Sequence, residues 1–178
     1  MRLFVALPLP EAVRRQLALL QQGVAGARWV RSEQLHLTLA FLGEVTEEQA
    51  TELISRLLQI RFAPFTLQFD RLGCFPQTGL PRVLWIGLQS SPDLLQLAHE
   101  IRYAACAAGV LLEHRPFAPH ITLARLKGVR PYLITSWMGQ LELSSCMPVV
   151  MQEFVLVQSQ LQQQGAEHRV LQRFSAMD

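Results

Sequence analysis

The chain has 178 residues, enough for one domain or for two small lobes that share a core. With 50% hydrophobic and 17% charged residues it is not a disordered chain, and no apolar run is long enough for a membrane span, so a cytoplasmic protein is expected. A net charge of +2 is too small for a large nucleic-acid footprint, and the widely spaced Cys74, Cys106 and Cys146 argue for reduced, structural thiols over a disulfide framework or zinc ribbon.

Leu3 to Leu7 is a compact apolar run closed by Pro8 and Pro10, which predicts a buried first strand; it is too short and too quickly followed by polar residues for a signal sequence. Pro10 and Glu11 suit a helix first turn, Val13, Leu17 and Leu20 give a buried helical stripe, and Gly23 and Gly26 close it. A short strand is expected at Trp29-Val30 and a longer one from Leu35 to Leu42, ended by Gly43. Thr46 with Gln49 reads as a capping box opening a helix to about Gln59, and Phe65 to Phe69 alternates as a strand.

The second half repeats this order. Val83 to Leu88 reads as a buried strand, Ser91-Pro92 starts a helix that runs to Ala108, and Val110 to Glu113 reads as a short strand. His120 to Leu126 is the counterpart of the Leu35 strand, and Glu153 to Gln160 and His168 to Phe174 read as closing strands around a turn at Gly165. The pattern points to one domain, residues 1–178, made of two pseudo-repeats of roughly 1–75 and 80–178.

Each half holds one His-x-Thr: His36-Leu37-Thr38 and His120-Ile121-Thr122. Side chains alternate along a strand, so the histidine and threonine share one face while the aliphatic residues share the other. A single His-x-Thr is weak; two copies at matching places are not. Two facing imidazoles suit displacement at phosphorus, one removing a proton from the attacking hydroxyl or water and the other delivering one to the leaving oxygen. The threonine hydroxyls could hold non-bridging oxygens. His99, His114 and His168 have no repeated partner and read as surface or structural residues.

The sequence offers no metal-ligand spacing, no G-x-S-x-G and no phosphate-binding Gly-rich loop, so no cofactor or metal is expected. Lys127 is the only lysine among sixteen basic residues. That bias fits either GC-rich coding or a preference for arginine at phosphate oxygens. No acid falls between His114 and Leu141, where Arg115, Arg125, Lys127 and Arg130 surround the second motif.

The paired His-x-Thr-x motifs resemble the signature of the 2H phosphoesterases, and more narrowly that of the RNA 2′,3′-cyclic phosphodiesterases, also known as 2′-5′ RNA ligases. The likeness also takes in Arg2 to Leu7, Leu35 to Val45, Arg82 to Gly87 and Arg115 to Arg125. It implies an α+β, bilobed, duplicated fold, with two antiparallel sheets facing across a central cleft and helices outside. It implies hydrolysis of RNA 2′,3′-cyclic phosphate ends to 2′-phosphomonoesters, with 2′-5′ ligation when a ribose 5′ hydroxyl replaces water. His36 matches the proton donor, His120 the proton acceptor, and Thr38 and Thr122 the phosphate-binding threonines. Arg125 matches a basic position, although alternation points it away from His120 unless the strand bends. Phe41 could stack on a base or belong to the core. The final hairpin lacks the expected aromatic near Glu167-His168. The partners are RNA ends or nucleotides bearing a 2′,3′-cyclic phosphate, met by a monomer away from membranes. Rival readings are a phosphodiesterase for small cyclic nucleotides or ADP-ribose cyclic phosphate, and a non-catalytic RNA-end binder.

Overall fold

Alternating aliphatic residues in the two motif strands demand a sheet with one buried face, and the rest of the chain is arranged to cover it. The computed structural model describes residues 1–114, 116–141, 143, 148–162 and 165–177. Its first half runs β1 (Arg2–Pro8), α1 (Glu11–Leu20), β2 (Ala27–Trp29), a 3-10 turn (Ser32–Gln34), β3 (His36–Glu44), α2 (Glu47–Leu57), β4 (Phe65–Leu67) and β5 (Phe69–Phe75). The second runs β6 (Val83–Leu88), α3 (Pro92–Ala107), β7 (His120–Leu126), α4 (Pro131–Gly139), β8 (Val149–Met151), β9 (Glu153–Gln162) and β10 (Gly165–Ser175).

The fold is α+β, as expected. The large antiparallel sheet has the order β10-β9-β1-β3-β7-β6-β5, with β2 also paired to β7, while β4 and β8 form a small second sheet. Among the described residues β3 and β7, where the two half-sheets meet, share a single backbone pair, Leu37 with Ile121. β2 and β3 follow one another along the same edge of β7, interrupted by the 3-10 turn. Strands cross between halves: the closing hairpin β9–β10 extends the sheet of β1 and β3, and β5 from the first half extends that of β6 and β7.

One core joins both halves. Leu37, Leu39, Ile121 and Leu123 are almost fully buried in it, with Leu17 of α1, Leu53 and Leu57 of α2, and Leu94 and Ile101 of α3. α3 packs against both α2 and β3. The Thr46–Gln49 capping box is formed, and Ser91 caps α3 through the Leu94 amide. The Gln21 side chain donates to the carbonyls of Val30 (2.8 Å) and Leu123 (3.0 Å), tying α1 to β2 and β7.

Two readings differ from what forms, and two elements had not been anticipated. Phe65 to Phe69 is not one strand: β4 and β5 flank Gln68 and belong to different sheets. Val110 to Glu113 is irregular: among the described residues no strand pairs with it as β7 pairs with β2, and Leu111 is left 95% exposed. α4 and β8 had no sequence expectation; α4 is apolar on more than one face and lacks a clean stripe. Cys74 and Cys106 are free thiols, and Cys146 lies outside the described residues. Among the described residues no helix is long and apolar enough to cross a membrane.

Candidate active site

β3 and β7 run antiparallel about the Leu37–Ile121 pair, whose side chains are buried. Alternation therefore turns the residues on either side of each to the opposite face, with His36 across from Thr122 and Thr38 across from His120. All four line one cleft of about 1130 Å³.

Strict alternation ends just past each threonine. In β3 the register with β1 slips, so that Ala6 pairs with Thr38 but Val5 with Ala40, leaving Leu39 as an extra residue. In β7 the register with β6 slips in the same way: Trp85 pairs with Thr122 but Leu84 with Ala124, leaving Leu123 extra. Each bulge re-aims the residues beyond it. Ala40 and Ala124 turn into the core, and Phe41 and Arg125 turn out to the cleft. The bend that Arg125 needed is this bulge. Phe41 is 65% exposed and is no core residue.

Both histidines are oriented by the same local bond. His36 Nδ1 lies 2.6 Å from the carbonyl of Gln34, and His120 Nδ1 lies 2.7 Å from that of Ala118, in each case two residues back. A carbonyl only accepts, so each Nδ1 carries a proton and each Nε2 is the working nitrogen. His36 Nε2 lies 3.1 Å from Thr38 Oγ1. Burial pushes the His36 pKa from 6.5 down to about 4; the Gln34 carbonyl works against this, while charge on His168 or His120 adds to it. In the unliganded protein His36 is thus neutral near pH 7, its Nε2 accepting from the Thr38 hydroxyl.

Aromatic rings hold each imidazole from beside. Phe4 stacks on His36 with ring centroids 4.9 Å apart, and His168 meets it edge-on at 5.4 Å. His120 meets Phe75 edge-on at 5.2 Å and lies 6.2 Å from Trp85. Trp85 fits because Gly73 is opposite it: a Cβ there would come within 2.3 Å of the indole.

His168 corrects the sequence reading. It is partly buried, not a surface residue, and lines the cleft from β10, where burial and then the Arg31 charge lower its pKa. His99 and His114 are exposed and lie outside the cleft. Arg2, Arg28 and Arg31 join Arg125 along the cleft and were also missed, whereas Lys127 and Arg130 do not line it and Arg115 lies outside the described residues. The only available signal for His168 was its place opposite Ser159 on a strand paired through β9 and β1 to β3, which needs the strand order. Among the described residues no three His, Cys, Asp or Glu side chains are grouped to hold a metal ion.

A family model described as LigT-like phosphoesterase matches the chain twice, over residues 7–85 and 86–166, each match holding one His-x-Thr. The chain belongs to the LigT-like phosphoesterase family. This LigT-like phosphoesterase is 39% identical to an RNA 2′,3′-cyclic phosphodiesterase of Thermus thermophilus, over 98% of this chain and 90% of that protein. It is 42% identical to one of Escherichia coli, over 70% of this chain and 71% of the relative. The crystal structure of Escherichia coli LigT complexed with 3′-AMP superposes with a TM-score of 0.79 at 30% identity, covering 99% of this chain and 98% of that one.

Proposed function

We propose that this chain is an RNA 2′,3′-cyclic phosphodiesterase that opens the cyclic phosphate at an RNA 3′ end to leave a 2′-phosphomonoester. The observation that carries this reading is the convergence of two His-x-Thr faces, His36 with Thr38 and His120 with Thr122, on one cleft. The names of bacterial and archaeal relatives support the substrate class.

His120 acts as proton acceptor and His36 as proton donor. His120 Nε2 takes a proton from water as the water oxygen bonds to phosphorus. The bond from phosphorus to the 3′ oxygen breaks, and His36 Nε2 gives that oxygen a proton, leaving a 3′ hydroxyl and a 2′ phosphate. His36 is neutral before substrate arrives; an anionic phosphate beside it favours the imidazolium and so loads the donor. Thr38 and Thr122 donate to the non-bridging oxygens, where negative charge grows in the transition state. Arg125 neutralises the phosphate, and Phe41 stacks on a base. The proton transfers use the imidazoles alone, so EDTA leaves the rate unchanged. Ligation through a 2′-5′ linkage is the same displacement with a ribose 5′ hydroxyl in place of water: His120 takes the proton of the attacking 5′ hydroxyl as its oxygen bonds to phosphorus, and His36 protonates the departing 3′ oxygen. The double family match supports a single bilobed unit of two pseudo-repeats.

The test is incubation with an oligonucleotide ending in a 2′,3′-cyclic phosphate, with the product identified. A 2′-phosphate end supports the reading. A 3′-phosphate end, or binding without product over hours, overturns it. Faster turnover of a mononucleotide 2′,3′-cyclic phosphate or of ADP-ribose cyclic phosphate moves the substrate to a small nucleotide.

A further inference from the structure

His168 reaches His36 by two routes. Its ring meets the His36 ring edge-on at 5.4 Å and the Phe4 ring at 5.0 Å, while Phe4 stacks on His36 at 4.9 Å, so the three rings are mutually packed. The same strand end is also bound to the residue that orients His36. The Gln34 side chain donates to the Ala166 carbonyl at 2.7 Å, and the Gln34 carbonyl is the acceptor for His36 Nδ1–H at 2.6 Å. Phe4 is buried beneath and belongs to a small cluster with Ala6, Val155 and Val157, which anchors this corner of the sheet.

The other half of the cleft provides a comparison. His120 is flanked by Phe75 and Trp85, neither of which takes up a proton. Among the described residues His168 is the one titrating ring packed on either motif histidine. Two imidazoles this close oppose each other's protonation and titrate as a pair. We propose that His168 is a positioning residue for His36: held by β10, it fixes the orientation of the imidazole and governs when that imidazole takes up its proton. This rests on the reading of His36 as an acid–base group.

The other charged groups around the pair are accounted for. Arg31, on the 3-10 turn's leading edge, opposes charge on His168 and is itself 3.3 Å from Glu33. His120 faces His36 from β7 and opposes its charge. Arg2 from β1, Arg28 from β2, Glu44 from β3, Arg125 from β7, Glu167 from β10 and Glu113 before β7 line the same cleft. The Arg31–Glu33 pair is exposed and screened, whereas His168 shares the partly buried ring cluster with His36.

The test has two arms. Histidine side-chain NMR titrations of the substrate-free protein, from about pH 3.5 to 8, compare wild type with His168→Phe, which keeps a ring and removes its charge. His36 is expected to titrate at higher pH in His168→Phe, as a single step. With the cyclic-phosphate oligonucleotide, His168→Ala is expected to lose on the order of tenfold in kcat with a smaller change in KM, as a misoriented catalytic group would. His168→Phe recovers most of that loss, with a pH profile moved in step with the His36 titration. An unchanged His36 titration in His168→Phe overturns the proposal, and so does His168→Ala with wild-type kcat and pH profile. Because the titration uses no substrate, it stands or falls independently of the reaction assigned above.

Discussion

Among the described residues Leu37 and Ile121 form the one backbone pair that joins β3 to β7, and each directly follows a motif histidine. The local two-fold of an antiparallel pair at that point relates His36 to His120 and Thr38 to Thr122. The pairing of the two His-x-Thr motifs and their facing geometry are thus one feature: the local two-fold passes through the floor of the cleft. Beyond it, the matching bulges at Leu39 and Leu123 bring Phe41 and Arg125 to equivalent places, each five residues after its histidine.

Leu37→Ala and Ile121→Ala remove fully buried side chains at this junction, and each is expected to cost about 2–5 kcal/mol in urea unfolding. Activity per folded molecule should also fall, because the two histidines lose their common support. A loss of stability with unchanged turnover of the folded fraction would show that the junction does not set the site.

The depressed pKa of His36 makes stability depend on pH. Between its ordinary 6.5 and about 4, the unfolded chain binds a proton that the folded protein does not. Stability is therefore full above that window and falls as pH drops through it, by at most roughly 3 kcal/mol from this group. His168, shifted in the same direction, adds to the slope. Urea midpoints at neutral and acid pH check this, and His36→Asn should flatten the dependence.

Arg125 and Phe41 are expected to serve binding more than chemistry. Arg125→Ala, losing a charge-assisted bond to phosphate, should raise KM by on the order of tenfold or more, and increasingly so at low salt. Phe41→Ala should raise KM for an oligonucleotide more than for a mononucleotide, since its exposed ring lies at the cleft edge. Steady-state kinetics with both substrates separate the two effects.

Gly73→Ala tests the packing behind His120 without touching the cleft. The new methyl would meet the Trp85 indole at 2.3 Å and force it toward Phe75 and His120. The expected result is a loss of about 1–3 kcal/mol in stability together with a fall in kcat. Unaltered kcat in the folded variant would show that Trp85 does not position the imidazole.

The motif faces were legible in the sequence because period-two alternation holds over three residues, and the caps at Thr46 and Ser91 were legible because capping is local. Arg125 and Phe41 needed the bulges, which depend on pairing with β1 and β6 and leave no local mark. His168 needed the strand order: only when β10 joins the sheet through β9 and β1 does a residue so distant in the chain reach His36. The Val110 to Glu113 segment shows the converse, a good local strand pattern that stays irregular, with no partner strand among the described residues.

The most direct test of the two-imidazole account is single-turnover opening of a 2′,3′-cyclic-phosphate oligonucleotide, with EDTA present, by wild type, His36→Ala and His120→Ala. The account predicts a 2′-phosphate product from wild type at a rate EDTA does not change, and a loss on the order of 10²–10⁴ in each variant. Wild-type rates in either alanine variant, or abolition of the wild-type reaction by EDTA, would contradict it.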